Sequence, residues 1–385
     1  MVTNLPAEAK AKWLKYLDAR TTEEKIKALE EFLSSVPKHK GTENLREWAT
    51  RKLAELREEL EERRRRRVGG QSPFSIKKEG AGQAIFLGLP QCGKSSLVRA
   101  LTGAKTKVAN YPFATTQPVV GSLRYEDIYF QLIDAPPLAP GSKLNGKVIG
   151  LAKNADLAIV VLDATRDVMS DYKTVVDLLE ENGLTISKPR GRVVLERYRA
   201  GKAGVKVTVL GKMIGATPDD VRRLLESYNI YNAHVKLYGE VTLDDVEAAI
   251  FERNVYKPAI ITINKADLGP DARRKAEELS RRTGLRAIPV SALTREGLDL
   301  IARLIFEELE IVRVYTKPPN GPPSPKPLVL RRGSTVFDVA RNIHSELVEN
   351  FSYARVWGRS AKYPGERVGL DHEVLDGDIV EIHTK

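Results

Sequence analysis

The chain has 385 residues, 42% of them hydrophobic and 29% charged, and its formal net charge is +11. This length exceeds one hydrophobic core, so we expect about two to four domains. No apolar stretch is long enough to span a membrane and the N-terminus lacks the apolar region of a signal peptide, so we expect a cytoplasmic protein without a membrane partner. The basic excess favours an anionic partner such as RNA, although heavy use of Lys, Arg and Glu is also typical of proteins from hot environments.

Helical spacing of apolar residues marks residues 1–70, which we assign to an N-terminal helical domain. Two helices are predicted, with a break at Ser34–Pro37 between them. Their apolar stripes comprise Trp13, Leu14, Leu17, Leu29, Phe32 and Leu33 in the first helix and Trp48, Leu53, Leu56 and Leu60 in the second. The second helix ends in the run Arg63–Arg67, for which a solvated terminus and an RNA- or ribosome-facing patch are both open interpretations. Residues 68–73 are predicted as a linker.

A phosphate-binding motif follows the apolar run Ala84–Leu87 and precedes a helical pattern over Ser96–Leu101. Its pattern is G-x-x-x-x-G-K-S, and the order strand, loop, helix is typical of a loop whose backbone N–H groups surround a phosphate. Lys94 is predicted to reach the β- and γ-phosphate oxygens, and the Ser95 hydroxyl to bind Mg²⁺. The predicted nucleotide-contacting residues of this loop are Gly88, Leu89, Pro90, Gln91, Cys92, Gly93, Lys94, Ser95 and Ser96.

The chain has one cysteine, Cys92, at a variable position of this loop, so an intramolecular disulfide is excluded and a reducing compartment fits. A small filler and a redox gate on nucleotide entry are the two interpretations of this residue. The five histidines lack the spacing of metal ligands, so we expect no zinc site.

Strands and helices alternate in a nucleotide-binding domain over 82–184 and 255–312, and an inserted helical or α+β subdomain occupies 185–254. In the insertion, two helices are predicted to begin at Thr217 and Thr242, each with a carboxylate three residues later. Upstream of them lies a basic segment, which is either a solvated loop or a nucleic-acid contact. Its cations are Lys188, Arg190, Arg192, Arg197, Arg199, Lys202 and Lys206.

A second motif, N-K-x-D, follows the buried-strand pattern Ala259–Ile263 and comprises Asn264, Lys265 and Asp267. Asp267 can accept hydrogen bonds from the ring N–H and the exocyclic amine of guanine, a donor pair that adenine lacks, so the motif selects GTP over ATP. Lys265 is predicted to lie along the base face, and Asn264 to tie this loop to the phosphate loop. A third segment after the strand Ala287–Val290 is predicted to supply a backbone N–H to the guanine carbonyl; it comprises Ser291, Ala292 and Leu293.

Prolines mark residues 313–326 as a semi-rigid linker, and residues 327–385 are predicted to form a small final domain. In it we predict a strand over Leu328–Leu330, a helix capped by Thr335, and strands over Ala354–Trp357 and Asp378–Ile382.

The segment Lys38–Leu45, the insertion and the final domain together resemble the developmentally regulated GTP-binding (DRG) family of Obg-related GTPases, as an archaeal-type member. The final domain resembles a TGS domain, which is a ubiquitin-like module. The resemblance implies an α/β fold: a P-loop GTPase domain with an N-terminal helical hairpin, an internal α+β insertion and a C-terminal β-grasp (TGS) domain. Residues Asn110–Thr116 are similar to the switch I signature of these GTPases, which implies that Thr115 binds Mg²⁺ and senses the γ-phosphate.

The resemblance further implies a translation-associated GTPase that contacts ribosomes or RNA, often together with a DRG-family regulatory protein; DNA is not expected. Lys94 and Thr115 would be its catalytic residues. Mg²⁺ would be held by Ser95, by Thr115 and, through water, by Asp134. Several relatives are stimulated by K⁺, so K⁺ is a further candidate cation beside GTP, GDP and Mg²⁺.

The chain departs from this family at switch II, which normally reads D-x-x-G and here reads Asp134-Ala135-Pro136-Pro137-Leu138. Pro137 has no N–H to donate to the γ-phosphate, a bond typically worth about 1.5–3 kcal/mol. The N–H of Leu138 is a candidate replacement, but the Leu138 side chain stands where Ras-like enzymes have a water-orienting glutamine. In the phosphate loop, Gln91 stands at the position where K⁺-stimulated relatives often carry an asparagine.

From these departures we expect slow hydrolysis of GTP to GDP and phosphate, with a ribosome- or RNA-binding switch as the favoured function. A nucleotide-stabilised RNA- or ribosome-binding scaffold with poor hydrolysis is the alternative. A stringent-type synthetase is less favoured because the sequence leaves no second catalytic domain.

Overall fold

The structure is a computed structural model that describes residues 5–38, 42–67, 74–102, 117–198, 204–251, 255–269, 271–319 and 321–384. The helices are α1 (Ala7–Asp18), α2 (Thr22–Ser35), α3 (Glu43–Arg67), α4 (Lys94–Thr102), α5 (Asn145–Asn154), α6 (Val168–Glu181), α7 (Pro218–Ser227), α8 (Leu243–Ile250), α9 (Ala272–Thr283), α10 (Leu298–Glu308), α11 (Val336–Ile343) and α12 (Ser345–Glu349). The strands are β1 (Gln83–Leu87), β2 (Val119–Tyr125), β3 (Ile128–Asp134), β4 (Leu157–Asp163), β5 (Leu184–Thr185), β6 (Gly191–Arg197), β7 (Val205–Met213), β8 (Ala233–Val241), β9 (Val255–Tyr256), β10 (Ala259–Asn264), β11 (Arg286–Pro289), β12 (Ile311–Thr316), β13 (Leu328–Arg331), β14 (Phe351–Trp357), β15 (Glu366–Val368) and β16 (Asp378–Thr384).

The chain divides into two compact units. The first unit comprises the described residues of 1–75, 145–149 and 176–256, and the second those of 76–144, 150–175 and 257–385. In the described ranges, no helix has both the length and the apolar composition needed to cross a bilayer.

The N-terminal part of the first unit is helical, and the helical hairpin predicted there is present as α2 and α3. The single first helix that the sequence predicted is, however, two helices, because the chain leaves α1 after Asp18. Thr21 then caps α2: its hydroxyl accepts from the N–H of Glu24 at 3.1 Å, while the Glu24 carboxylate accepts from the N–H of Thr21 at 3.2 Å. This capping box satisfies the first N–H groups of a new helix and so fixes the break.

The insertion contributes a three-stranded sheet to the first unit, with strand order β6-β8-β7. The predicted threonine caps are present on its helices, with capping boxes between Thr217 and Asp220 and between Thr242 and Asp245. Part of the basic segment upstream of these helices is strand, in β6 and at the start of β7, and its members Arg199 and Lys202 fall outside the described residues.

The N-terminal helices and the insertion share one hydrophobic core. Trp13 of α1 is almost fully buried, and its ring centre lies 4.8 Å from that of Phe251, directly after α8, and 5.3 Å from that of Phe32 in α2. Tyr228 after α7 packs edge-on against Phe251 at 5.4 Å. Two segments far apart in the sequence therefore stabilise each other, since aromatic side chains contribute large buried areas to a core.

The second unit contains a six-stranded sheet with strand order β11-β10-β4-β1-β3-β2. Its strands are parallel except β2, which pairs antiparallel with β3. β1, β4 and β10 are buried along their whole length, as expected for strands covered on both faces. Because the strands are parallel, the segments that follow β1, β3, β4, β10 and β11 all lie at one edge of the sheet, where α/β folds bind ligands.

The C-terminal sheet of the second unit has five strands in the order β13-β12-β16-β14-β15. The predicted strands and the helix after Thr335 are present, but the sheet begins earlier than predicted. Residues 313–316, which we predicted as the start of the linker, lie in β12 and pair with β13 and β16. Val312 and Val314 are buried in the core of this sheet, which explains why the strand precedes the proline-rich segment.

A cluster of charged residues joins β12 to the turn between β2 and β3. The Arg313 guanidinium donates to both carboxylate oxygens of Asp376, Nε to Oδ1 at 3.0 Å and Nη2 to Oδ2 at 2.8 Å. Its Nη1 donates to Asp127 Oδ1 at 3.0 Å and also bonds Glu126, while the Tyr315 hydroxyl bonds Asp127. The hairpin that leads into Asp134 is thereby held against the C-terminal sheet.

Candidate functional site

The loop between β1 and α4 has two positions at which only glycine fits. Gly93 has φ +87°, and a Cβ there would lie 2.3 Å from Nδ2 of Asn264. A Cβ on Gly88 would lie 2.5 Å from the carbonyl oxygen of Val161. The loop therefore packs closely on β4 and on the end of β10, and it leads into the N-terminus of α4, whose N–H groups and dipole attract anions.

Lys94, the first residue of α4, has a buried ammonium group. Its side chain is folded back so that Nζ donates to the carbonyl oxygen of Gly88 at 3.2 Å, and the residue is 6% exposed. A buried cation at a helix N-terminus is favourable only where an anion can approach it, because desolvation of an ammonium group is costly. This arrangement suits the binding of a phosphate group.

Asp134, at the end of β3, is a buried carboxylate beside the hydroxyl of Ser95. Burial raises the pKa of Asp134, although the hydrogen bond from Ser95 and the charges of Lys94 and Arg99 act in the opposite direction. Its Oδ1 is buried and has no hydrogen-bond partner among the residues that the structure describes. A carboxylate oxygen of this kind, next to a hydroxyl, fits a hard divalent cation or a water bound to one.

Asn264 joins three loops at the edge of the sheet. Its Nδ2 donates to the carbonyl oxygen of Cys92 at 3.0 Å, and its Oδ1 accepts from the N–H of Ala292 at 3.2 Å. Asp267 is exposed and accepts from the Ser291 hydroxyl at 2.6 Å. The structure thus brings together the phosphate loop, the N-K-x-D loop and the segment after β11.

The three N–H groups of the segment after β11 already have acceptors. The N–H of Ser291 donates to Glu296 O at 3.0 Å, that of Ala292 to Asn264, and that of Leu293 to the Ser291 hydroxyl at 3.2 Å. The backbone donor that we predicted for a guanine carbonyl therefore has to exchange one of these bonds. The Leu293 side chain is 82% exposed and so does not anchor the loop.

Lys265 lies across the phosphate loop and contacts an acidic residue that the sequence analysis did not select. Its Nζ donates to Gln91 O at 3.0 Å and to Asp163 Oδ2 at 2.6 Å. Burial alone would raise the pKa of Asp163, but hydrogen bonds from Lys265 and Thr165 outweigh it, and the pKa lies below its usual value. The available signal was a carboxylate ending the apolar run Leu157–Leu162, the same position that Asp134 and Asn264 hold on their strands.

The switch II segment is bonded to the phosphate loop through its backbone. The N–H of Leu138 donates to Gly88 O at 3.0 Å, and the Leu138 side chain is fully buried. The replacement donor that the sequence suggested is therefore engaged by the protein itself. Pro137, one residue earlier, has no N–H.

Two further sequence predictions concern Cys92 and Thr115. Cys92 is buried, and burial raises the pKa of its thiol, so the reactive thiolate is disfavoured and the interpretation as a small filler is supported. Thr115 and the rest of the switch I signature lie outside the described residues.

Three family descriptions match successive parts of the chain. The family described as a 50S ribosome-binding GTPase matches residues 83–194, and the C-terminal region of the same domain family matches residues 202–311. The TGS domain matches residues 312–384. Together with the sheet order and the loops at its carboxyl edge, these matches define a P-loop GTPase followed by a TGS domain.

Individual relatives match nearly the whole chain. A GTP-binding protein of Methanocaldococcus jannaschii, described as uncharacterized, is 35% identical over 380 residues, which cover 96% of this chain and 94% of that protein. Developmentally-regulated G-protein 2 of Arabidopsis thaliana is 31% identical over 371 residues, which cover 94% of this chain and 91% of that protein. Developmentally-regulated GTP-binding protein 2 homolog of Dictyostelium discoideum is 30% identical over 367 residues, which cover 94% of this chain and 99% of that protein. The chain belongs to the developmentally regulated GTP-binding protein family.

Proposed function

We propose that the protein binds GTP and GDP through the loops described above and hydrolyses GTP slowly to GDP and phosphate. The observation that carries this proposal is the convergence of the phosphate loop, Asp134 and the N-K-x-D loop, joined by the bonds of Asn264 to Cys92 O and Ala292 N. Lys94 and the N–H groups at the start of α4 would hold the phosphates. Asp267 would select guanine, and the side chain of Lys265 would lie along the base.

Ser95 and Asp134 fit a magnesium ion, since the Oδ1 atom of Asp134 is buried without a partner among the described residues. Thr115 completes the proposed set. A bound Mg²⁺ would neutralise charge that develops on the phosphate oxygens. The chain's own contribution is positioning and charge: Lys94 stabilises the negative charge of the transferring phosphoryl group, and the loop amides fix its orientation.

Slow hydrolysis is supported by the two residues that end the switch II segment. Pro137 has no N–H for the γ-phosphate, and the N–H of Leu138 is bonded to Gly88 O. The Leu138 side chain is buried and apolar, so it cannot orient the attacking water as a glutamine does. Two contributions to GTP hydrolysis in Ras-like enzymes are therefore missing from these positions.

Single-turnover GTP hydrolysis by the isolated protein, in K⁺ and in Na⁺, tests this proposal. We expect a rate constant well below about 10⁻² s⁻¹ in both salts. Enzymes that carry both a charge-stabilising arginine and a water-orienting glutamine in the same chain reach about 10⁻² s⁻¹ without a partner. A faster rate would contradict the argument from Pro137 and Leu138. A rate that rises only in K⁺ would show that Gln91 still serves the cation.

A ribosome- or RNA-binding role in the cytoplasm completes the proposal, with a DRG-family regulatory protein as a second partner. It is supported by the net charge of +11 and by cations on the three-stranded sheet of the first unit. The strand register places the exposed residues Arg192, Lys206 and Lys212 on the same face as Tyr238. Basic side chains and an aromatic ring on one face of a sheet suit a phosphate backbone and its bases.

Co-sedimentation with ribosomes tests this role in GDP, in a non-hydrolysable GTP analogue and without nucleotide. Replacing Arg192, Lys206 and Lys212 together by alanine should weaken binding and flatten its salt dependence. Replacing the exposed Arg273, Arg274 and Arg281 of α9 removes the same charge from elsewhere and serves as the control. Equal effects of the two triple variants would contradict a specific contact on the sheet.

The alternative function is a nucleotide-stabilised scaffold that binds RNA or ribosomes without switching. The bond between Leu138 and Gly88 favours it, because this bond does not require a γ-phosphate. A switch must bind its partner differently in the GTP and GDP states, whereas a scaffold is indifferent. Equal co-sedimentation in both nucleotides would therefore favour the scaffold.

A further inference from the structure

Asp163 lies at the end of β4, directly between the phosphate loop and the N-K-x-D loop. In the sheet it pairs in register with Asn264, the last residue of β10. Its side chain is 2% exposed. Oδ1 accepts from the N–H and the hydroxyl of Thr165, at 2.9 and 2.7 Å, so the carboxylate has a fixed orientation.

The other carboxylate oxygen faces two cations, and each of these also contacts the phosphate loop. Lys265 Nζ lies 2.6 Å from Asp163 Oδ2 and donates to Gln91 O at 3.0 Å. Arg166 Nε lies 3.7 Å from the same oxygen, and Arg166 Nη1 donates to Pro90 O at 3.3 Å. We call Asp163, Lys265 and Arg166 the Asp163 cluster, and Pro90 and Gln91 the loop crest.

The residues joined by this cluster have an unfavourable backbone conformation. Gln91 has φ 65° and Lys265 has φ 62°, in the left-handed region that residues other than glycine rarely adopt. Such conformations cost on the order of 1–3 kcal/mol and persist only where neighbouring contacts hold them. The bond between Lys265 Nζ and Gln91 O links the two residues, and Asp163 holds its donor in place.

The turn that carries Thr165 and Arg166 is itself fixed from the side of α9. Lys275 Nζ donates to Ala164 O at 2.7 Å and lies 3.4 Å from Arg166 O. Gly269 packs so closely that a Cβ there would lie 2.8 Å from the Ala164 side chain. Asp163 is therefore a rigid anchor and not a carboxylate on a free loop.

We infer that Asp163 is a positioning residue of the nucleotide site: it holds Lys265 over the base position and, together with Arg166, fixes the loop crest. The inference rests on the guanine-nucleotide binding proposed above. By ordering both contact surfaces before the nucleotide arrives, the Asp163 cluster removes part of the ordering cost from the binding step. In this role Asp163 would act through Lys265 and Arg166 and not by direct contact with the nucleotide.

GDP titrations test this role on three full-length variants: Asp163→Asn, Lys265→Ala and the double variant. Asn keeps the shape of the side chain but removes its charge, so Asp163→Asn should weaken GDP binding about tenfold. Because Asp163 acts through Lys265, the double variant should bind GDP no more than about threefold more weakly than Lys265→Ala alone. A residue that only stabilised the fold would instead give losses that multiply.

Asp163→Asn binding GDP within about twofold of the wild type would overturn the inference, and so would losses that multiply in the double variant. Asp177→Asn, on the exposed face of α6, is the matched control and should bind as the wild type does. If Asp163→Asn fails to fold, Arg166→Ala decides, since this side chain is at the surface; it should weaken GDP binding by about threefold, and an unchanged affinity would overturn the inference. A wild-type protein that binds no GDP would refute the proposed function itself, which separates the two failures.

Discussion

Replacing Arg313 by alanine should loosen the C-terminal sheet of the second unit. The Arg313 side chain is 12% exposed and is held by Asp376, Asp127 and Glu126. The hydrogen bonds that Arg313 donates to the Asp376 carboxylate raise the pKa of Arg313, so it is charged at every relevant pH. Truncation removes the two bonds to Asp376 and leaves Asp127 and Glu126 without this cation.

The expected loss follows from the number and exposure of these bonds. A charge-assisted hydrogen bond contributes about 1.5–3 kcal/mol, but Asp376 and Asp127 are partly exposed and solvent screens them. Asp376 also keeps a bond from the backbone N–H of residue 313 at 2.8 Å. We therefore expect a destabilisation of about 2–3 kcal/mol, below that for breaking a fully buried pair.

Hydrogen exchange of the β12 and β16 amides, measured by mass spectrometry on the native protein, reads out this loss locally. A loss of 2–3 kcal/mol in opening free energy speeds exchange by about 30- to 150-fold. Arg303→Ala, which removes an exposed pair with Glu307 on α10, is the control and should change exchange by less than about threefold. Equal protection in the two variants would refute the reasoning.

Three further predictions concern the loops and the same charged cluster. Pro137→Gly restores an N–H at switch II and should raise affinity for a non-hydrolysable GTP analogue relative to GDP by about tenfold in competition binding, whereas an unchanged ratio would show that Leu138 N–H blocks the contact. Gly93→Ala should lower GDP affinity by at least about a hundredfold, because its Cβ would collide with Asn264 Nδ2, while Gly150→Ala, which meets no atom within 4 Å, should bind normally. Burial and the bond to Asp127 raise the pKa of Tyr315 to about 12. The folded state therefore favours the protonated hydroxyl, and the stability gained in this way is complete below the unfolded pKa of about 10 and is lost as the pH rises from about 10 to 12. Over this pH range the urea midpoint of the wild type should fall more than that of Tyr315→Phe.

The strands and loops that carry the nucleotide site were predictable because their signals are local. An apolar run followed by glycines, or by N-K-x-D, specifies both the strand and the turn after it. Thr217 and Thr242 predicted helix starts for the same reason, since a capping box involves only four residues. Thr21 and Glu24 carry the same pattern, which marks the start of α2. The prediction of a single first helix did not use it.

Contacts between distant segments were not predictable from one sequence. Asp163 ends an apolar strand, but its importance depends on Lys265, more than a hundred residues later, which only the sheet order brings within reach. The start of the C-terminal sheet was missed because β12 pairs with β16, while the prolines that follow it suggested a linker. Nothing in the spacing of Trp13 indicated Phe251 as its partner.

That shared core has a consequence for how the protein is made. Trp13 and Phe32 leave the ribosome early, yet Phe251, which covers Trp13, is translated only after the entire phosphate loop and four of the six strands of the sheet that carries this loop. At usual rates of synthesis, about 10 to 50 s pass between the translation of the N-terminal aromatic residues and that of Phe251. The growing chain therefore exposes part of this apolar surface during elongation, and a truncated product that ends before α8 would keep it exposed.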